Sequence, residues 1–271
     1  MMKRTPYPGT QAVLRAVNLL KAFSADRNEL RLVELTRLVG LNKTTAYRLL
    51  TALESAGMIE RTPGADAYRL GPELMALGSL ALGSSGLRLA SRATLQSLAV
   101  ETRETATLEV LVDDQVLILD EVMGSHVIGA LPSLGTRWPV HTTSTGKVLL
   151  AYMAEEQRDN HLSPKMAAAT PRTITGRQAF SRELERVIEL GYGLNDEELE
   201  AGYVGAAAPI RSVDGAVVGA ISVGGPKSRL DPDRLTRIAR TLPAAADQVS
   251  RRLGWAGPPS RLSPKPRKVR A

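Results

Sequence analysis

The spacing of apolar residues is most regular in residues 32–56, where two helical repeats meet at a glycine. Apolar residues recur every three or four positions in a first segment that ends at Gly40, and again in a second segment that opens after Leu41. This spacing predicts two short helices joined by a tight turn. The residues predicted to face inward on the second helix are Ala46, Leu49, Leu50 and Leu53.

The opposite side of the second helix is polar and basic. Its side chains are Lys43, Thr44, Thr45, Tyr47 and Arg48, followed by Thr51. A helix with one apolar side and one side of lysine, threonine, tyrosine and arginine fits the major groove of DNA. We therefore interpret the pair as a helix-turn-helix whose second helix reads DNA. The alternative is an ordinary amphipathic hairpin with a solvated polar face.

A two-stranded hairpin, or wing, is predicted directly after this helix. Pro63-Gly64 and Ala65-Asp66 supply turn residues between two short extended runs. Arg61 and Arg69 flank the turn, and we predict that they contact DNA phosphates. The alternative is a loop that only closes a small domain.

Helical periodicity also surrounds this segment. Residues 10–23 predict a first helix, with Val13, Ala16, Val17, Leu20 and Phe23 on one side. After Gly71-Pro72, residues 73–86 and 87–102 predict two further helices. We interpret them as a linker that transmits orientation better than a flexible coil.

From Thr105 onward the period changes from helical to alternating. Strands are predicted at 106–112, 115–122, 126–131, 204–210 and 216–223, the last two joined by Asp214-Gly215. Helices are predicted near 144–154, 155–161 and 178–190, and from Asp231-Pro232 to Leu253. This mixture indicates an α+β domain with a mainly antiparallel sheet.

The predicted organisation therefore has four parts: a winged helix-turn-helix domain (1–70), a helical linker (71–102), an α+β ligand-binding domain (103–253) and a disordered basic tail (254–271).

Charge is distributed unevenly along the chain, whose formal net charge is +7. Residues 1–70 hold 11 lysines and arginines against 6 acidic residues, whereas the tail holds 5 against 0. A basic N-terminal part suggests that this part binds a polyanion. The chain has no cysteine, which excludes disulfides and thiolate metal sites. Without an apolar run of 18 residues or a signal peptide, we expect a cytoplasmic protein with no membrane partner.

No set of residues in the sequence has the types and spacing of a recognisable catalytic or metal-binding site. The segment 143–148 lacks the glycine and the hydroxyl residue that a phosphate-binding loop needs. The three histidines match no zinc spacing, and a structural, hydrogen-bonded His141 is favoured over one that orients a ligand. The acidic run 196–200 is interpreted as a solvated or helix-starting segment rather than an acid/base pair. We expect no enzyme activity, cofactor or metal. An enzyme or a ligand-binding scaffold with an appended winged domain stays as the alternative.

Glycine and hydroxyl residues cluster in three segments of the second half, 141–147, 202–209 and 221–226. Small residues let a ligand approach backbone amides, and hydroxyls offer directional hydrogen bonds. These segments are candidate binding loops, although the same glycines would also suit turns and strand bulges.

Several ordered blocks resemble the IclR family of bacterial transcription regulators along nearly all of residues 10–253. The blocks are TQAVLRAVNLLKAF, LVELTRLVGLNKTTAYRLLTALESAGMIER, YRLGPELMALGS, WPVHTTSTGKVLLA, TPRTIT, LGYGLNDEELEAG, AAAPI and ISVGGPKSRL. The resemblance implies a winged helix-turn-helix and a GAF-like effector-binding domain. It also implies homodimers paired into homotetramers on double-stranded operator DNA, near genes of carbon-source or aromatic catabolism. A small organic acid would change the affinity for the operator.

The resemblance also implies which residues line the effector pocket, and this chain departs from the family pattern there. The implied residues are Ser144, Thr145, Gly146, Asn195, Gly205, Ser222 and Gly224. Gly205 stands where a cysteine is common in relatives that bind small keto acids, and Gly224 where a serine is common. Both losses are expected to enlarge the cavity, so we expect a ligand larger than pyruvate, such as an aromatic acid or a related carbonyl compound.

Overall fold

The computed structural model describes residues 9–24, 27–126, 133–163 and 165–257. Contacts between residues divide the chain into two compact units, 1–84 and 85–271. In the described ranges, no helix combines the length and the apolar character that crossing a bilayer requires. The strand predicted at 126–131 and the tail beyond residue 257 fall outside the described residues, except for His126.

The first unit contains a helix-turn-helix followed by a wing, as the sequence predicts. Its elements are α1 (Gln11–Lys21), β1 (Leu30–Arg31), α2 (Leu32–Val39), α3 (Lys43–Ser55), β2 (Ile59–Arg61), β3 (Ala67–Leu70) and α4 (Pro72–Ser84). The strands form an antiparallel sheet in the order β1-β3-β2, in which β2 and β3 are the wing.

Local hydrogen bonds fix the turn between α2 and α3. The chain leaves α2 at Gly40, whose φ of 69° is a left-handed conformation that glycine adopts without steric cost. Asn42 then caps α3, because its Oδ1 accepts a hydrogen bond from the backbone N of Thr45 at 2.8 Å. The tight turn predicted between the two helices is therefore confirmed.

The core of the first unit lies between α1, α2, α3 and the wing. Its buried apolar side chains are Leu19, Leu30, Leu35, Leu50, Ile59 and Tyr68. Ala46 and Leu50 are fully buried, and Leu49 and Leu53 pack against this core, which confirms the predicted inward side of α3. On α1, by contrast, Val13 and Val17 are exposed and Leu19 is buried.

The second unit is an α+β domain. Its helices are α5 (Gly86–Thr102), α6 (Ser144–Ala151), α7 (Glu155–Asp159), α8 (Arg177–Leu190) and α9 (Pro232–Arg252). Its strands are β4 (Thr105–Val112), β5 (Gln115–Val122), β6 (Arg137–Pro139), β7 (Gly193–Asp196), β8 (Tyr203–Arg211) and β9 (Val217–Pro226). All neighbouring strands are antiparallel, in the order β6-β5-β4-β9-β8-β7.

Alternation along the central strands separates the core from a cavity. On β4, Ala106 and Leu108 point into the core formed with α5 and α9, whereas Thr107 and Glu109 point to the other face. On β9, Val223 faces the core and Ser222 faces the cavity. Beside the cavity, α6 and α8 cover this second face with their own apolar cluster.

The division of the chain falls inside the segment interpreted as a linker. Helix α5 contributes Leu95, Leu98 and Ala99 to the core of the second unit. Helix α4, in the first unit, buries none of its residues.

Candidate nucleic-acid interface and effector cavity

The polar side of α3 is exposed to solvent. Lys43, Thr44, Tyr47 and Arg48 are exposed, and Thr45 is half-buried at the capped first turn. In the described part of the chain, neither Lys43 nor Arg48 has a carboxylate within ion-pairing distance. This side of α3 therefore offers free cations and hydroxyls, as a helix that enters the major groove requires.

The two wing arginines are held by neighbouring carboxylates. Nε of Arg69 lies 2.7 Å from Oε1 of Glu60, its cross-strand neighbour. Nε of Arg61 lies 3.2 Å from Oε1 of Glu54 on α3, and its guanidinium covers the ring of Tyr68. The structure places Arg61 against α3 and Arg69 against its cross-strand neighbour on the wing, and the contact of either with phosphates stays a prediction.

A cavity of about 340 Å³ opens on the second face of the six-stranded sheet. It is bounded by β4, β5, β8 and β9, by the N-terminal end of α6 and by the segment around Asn195. Five apolar side chains contribute to its walls, among a larger number of polar ones: Ile118, Trp138, Leu199, Ala201 and Pro226. A volume of this size is typical of small-molecule sites.

One end of the cavity is a cluster of uncharged polar groups around Glu109. Its Oε1 accepts hydrogen bonds from the hydroxyls of Thr107 at 2.5 Å and Ser222 at 2.9 Å, and these hydroxyls are 2.7 Å apart. Burial raises the pKa of the Glu109 carboxyl, although the hydrogen bonds from Thr107 and Ser222 oppose this effect. Glu109 therefore holds its proton more tightly than an exposed glutamate does.

Cations mark another part of the cavity. Glu104 is buried and forms a forked pair with Arg229, with Nε–Oε1 at 3.0 Å and Nη2–Oε2 at 2.7 Å. His126 Nε2 lies 4.0 Å from Oε1 of the same carboxylate, and the exposed Arg103 lines the cavity beside it. Arg229 neutralises Glu104, and two further carboxylates, Glu121 and Glu200, also line the cavity.

Most of the predicted effector residues meet at this cavity. Ser144, Asn195, Gly205, Ser222 and Gly224 line it. Thr145 and Gly146 lie just behind it on α6: Thr145 is fully buried near Glu109, and a side chain at Gly146 would overlap the carbonyl of Val140. Participation of these seven residues in binding stays a prediction.

The expected enlargement at position 224 is wrong. A Cβ on Gly224 would overlap the hydroxyl of Tyr203, so the tyrosine takes the space that the missing serine side chain leaves. At Gly205 a Cβ would meet the carbonyl O of Val223 at 3.3 Å and Oγ of Ser144 at 3.8 Å, so this glycine does leave room. Burial raises the pKa of Tyr203, which keeps the phenol protonated and able to donate.

Lys147 of the rejected phosphate-loop segment is buried and forms a bridge between elements. Its Nζ lies 2.5 Å from Oε1 of Glu198, 3.2 Å from Oε1 of Glu183 and 2.8 Å from the carbonyl O of Leu194. It therefore ties α6 to α8, to β7 and to the segment just after β7.

The acidic run and His141 have structural partners. Hydrogen bonds from Lys227, followed by the charge of Arg172, lower the pKa of Asp196. The buried His141 places Nε2 2.9 Å from the carbonyl O of Ala167, so the favoured structural role is confirmed. Within the described residues, no three His, Asp or Glu side chains are grouped to hold a metal.

Sequence reasoning missed the polar residues on β4 and β8 that line the cavity. Thr107 and Glu109 fit the strand alternation that was used to find β4, and their polar character on a strand of apolar neighbours was the available signal. Tyr203 lies inside the glycine-rich segment 202–209 but carried no signal of its own. Arg103, His126 and Arg229 are brought together only by the fold.

These two units define a class of protein. A winged helix-turn-helix with free cations on its recognition helix belongs to a DNA-binding regulator, and the separate cavity-bearing unit is suited to sensing a small molecule.

Comparison with known proteins agrees with that class. The IclR helix-turn-helix domain matches residues 12–63, and the C-terminal domain of bacterial IclR transcriptional regulators matches residues 79–251. The transcriptional regulator XynR of Escherichia coli is 32% identical over 92% of this chain and 99% of its own. The glycerol operon regulatory protein of Streptomyces griseus is also 32% identical, over 90% and 96%.

Solved structures give the same result. A regulator of the IclR type from Silicibacter superposes with a TM-score of 0.81 at 35% identity, covering 92% of this chain and 98% of its own. An IclR homologue from Microbacterium hydrocarbonoxydans, solved with 4-hydroxybenzoate, has a TM-score of 0.75 at 29% identity, covering 89% and 98%. The chain belongs to the IclR family of bacterial transcriptional regulators. It is a DNA-binding regulator and not an enzyme.

Proposed function

We propose that the protein is a cytoplasmic repressor of a catabolic operon, which binds double-stranded operator DNA through the winged unit (1–70) and releases it when the domain at 103–253 binds an effector. The cavity beside Glu109 carries this proposal, because it offers the second unit a built site for a small molecule. Relatives that include the acetate operon repressor of Salmonella typhimurium support repression of catabolic genes. An effector that binds the DNA-incompetent state more tightly weakens operator affinity by the same coupling factor, typically about 5–150-fold.

The polarity of the cavity favours an effector with two different ends. A ligand carboxylate is best placed near Arg103 and Arg229, the cationic side chains that line the cavity, with His126 beside them. A hydroxyl or carbonyl group suits the opposite cluster, because Thr107, Ser222 and Glu109 offer hydrogen bonds without a cation to balance a buried anion.

The cavity also offers Ile118 and Trp138 as apolar surface on which an aromatic ring can pack. The bound 4-hydroxybenzoate of the Microbacterium homologue has this chemistry, and it supports a hydroxylated aromatic acid as the effector of this chain.

Titration calorimetry on the full-length protein tests the effector class. We expect 4-hydroxybenzoate to bind more tightly than benzoate, which lacks the hydroxyl, and more tightly than pyruvate, which cannot fill the cavity. The same compound should weaken binding to an operator duplex in a shift assay. Tight binding of pyruvate with no binding of aromatic acids would contradict the proposed effector, whereas the absence of any DNA binding would contradict the repressor function itself.

We also propose that the protein is a homodimer that pairs into a tetramer. Helix α1 exposes Val13, Leu14 and Val17. Helix α4 exposes Met75 and Leu80, whose surfaces are 70% and 72% accessible to solvent. Apolar side chains concentrated on helices of one small unit favour coverage by a second copy. A dimer would also present two recognition helices to two half-sites.

A further inference from the structure

Arg61 ends the first wing strand, and its side chain turns back to the recognition helix. Its Nε lies 3.2 Å and 3.4 Å from the two carboxylate oxygens of Glu54, which belongs to the last turns of α3. The ion pair therefore joins the wing to the predicted DNA-reading helix.

A second contact fixes the same guanidinium on the wing. Cζ of Arg61 lies 5.3 Å from the ring centroid of Tyr68, its cross-strand partner on β3. The Tyr68 side chain is part of the buried core, so this ring is an immobile platform. Arg61 is thus held between a core aromatic ring and a carboxylate of α3, and cation–π contact favours this arrangement.

The charge of Glu54 explains why this pairing bears on DNA binding. Glu54 follows Tyr47 by seven positions, which places both residues on the same side of α3, the side predicted to face DNA. A bare carboxylate there would repel the phosphate backbone. Arg61 neutralises it, so the positive charge of Arg61 is already committed, unlike that of Arg48 in the described chain.

We propose that Arg61 is a positioning residue that locks the wing against the recognition helix and masks Glu54, in place of the phosphate contact that the sequence predicts for it. The proposal rests on DNA binding by the winged unit. It assigns to Glu54, an acidic residue, a supporting role in operator recognition.

Two measurements separate positioning from phosphate contact. The first is the specificity ratio, in which the affinity for a duplex selected from a randomised library is divided by the affinity for a duplex of the same base composition in shuffled order. The second is the salt slope, which is the slope of the logarithm of the affinity plotted against the logarithm of the salt concentration. Loss of a phosphate contact weakens binding uniformly and lowers the salt slope by about 0.9 for each contact, whereas a loosened wing lowers the ratio and leaves the slope unchanged.

For Arg61→Ala we expect the specificity ratio to fall about five- to tenfold. The Glu54 carboxylate that this variant bares should also lower the slope, and that loss should disappear in the double variant with Glu54→Ala, whereas the loss of a phosphate contact would persist there. Glu54→Ala should lower the ratio by a similar factor, and the double variant should lose no more than either single variant. Arg61→Lys should also lose specificity, because lysine keeps the charge but not the planar guanidinium. Arg48→Ala is the matched control, an exposed arginine without an ion pair, and it should lower the slope.

The proposal is overturned if Arg61→Ala lowers the slope as Arg48→Ala does and leaves the ratio unchanged. It is also overturned if Glu54→Ala strengthens binding to both duplexes equally, because this would mean that Glu54 only competes with phosphates for Arg61. Thermal unfolding of each variant within a few degrees of wild type confirms that the unit is folded, as expected for half-exposed positions. Absence of DNA binding by the wild-type chain would refute the regulator function rather than this role.

Discussion

The phenol hydroxyl of Tyr203 lies where the side chain of residue 224 would begin. Tyr203 on β8 and Gly224 on β9 are two positions apart across the paired strands, and a Cβ on Gly224 would overlap the hydroxyl. The glycine therefore sets the position of a protonated phenol in the wall of the cavity. A side chain at position 224 would therefore require the ring of Tyr203 to move.

Gly224→Ser should consequently destabilise the second unit. Overpacking of a close-packed site costs about 1–3 kcal/mol, and urea unfolding measures it. Gly205→Ser is the matched control, because a Cβ there meets its nearest atom at 3.3 Å and should cost less. Equal stability of Gly224→Ser and wild type would show that Tyr203 moves away freely.

Glu109→Gln should change how stability depends on pH. Because the pKa of Glu109 is raised in the folded state, its contribution to stability is fully present below its ordinary value of 4.5 and is lost as the pH rises through the folded pKa. A tenfold difference in proton affinity between the folded and unfolded states corresponds to about 1.4 kcal/mol. Glutamine does not titrate, so this loss is absent from the variant. The free energy of unfolding of the variant, measured in urea, should therefore rise relative to that of wild type as the pH rises above 4.5. A difference that does not vary with pH would contradict this assignment.

Lys147→Met should unfold the second unit more easily than any surface change. Removing the lysine leaves Glu198 buried without its partner, which typically costs about 3–5 kcal/mol. The double variant Lys147→Met with Glu198→Leu should recover most of the loss. A cycle of single and double variants in chemical denaturation measures the coupling, and additive losses would show that the pair is not coupled.

Arg48→Ala should reduce operator affinity and leave effector binding intact. Its exposed guanidinium has no ion pair in the described chain, so only a DNA contact is removed. Loss of one arginine contact to DNA costs about 1–3 kcal/mol, roughly 5- to 160-fold in a shift assay, and it also removes one positive charge from the interface. Unchanged operator binding, in a variant whose effector binding is normal by calorimetry, would show that Arg48 does not contact DNA.

Leu80→Glu should weaken the proposed dimer. A charge on the exposed apolar side of α4 cannot be covered by a second copy without a desolvation cost. Light scattering should show a smaller assembly or a concentration-dependent one. Ser79→Glu, a polar neighbour on the same helix, is the control and should leave the assembly unchanged.

Periodicity predicted the helices, the wing and the long strands, because each has one apolar face repeated over enough residues. It missed β1, β6 and β7, which have only two to four residues and hold their conformation by pairing with longer strands. Of the apolar side predicted for α1, Leu20 and Phe23 pack against the core, whereas Val13 and Val17 are exposed and the buried residue is Leu19. Periodicity marks a face to be buried without saying what buries it.

The cavity was less predictable than the fold. Glycine and serine positions followed from the resemblance to the family, whereas the meeting of Glu109 with Ser222 depends on strand pairing between residues 113 positions apart. The size of the cavity was misjudged at Gly224, because sequence shows a missing side chain but not the neighbour that fills its place.

The division of the chain at residue 84 has a consequence for protein engineering. Ser85 caps α5 by accepting the backbone N–H of Arg88 at 3.3 Å, and each β-sheet is completed inside its own unit. Joining the first 84 residues of one relative to the remainder of another would keep these caps and sheets intact. Such hybrids would pair a chosen promoter with a chosen metabolite, which makes this junction a natural point for assembling whole-cell biosensors.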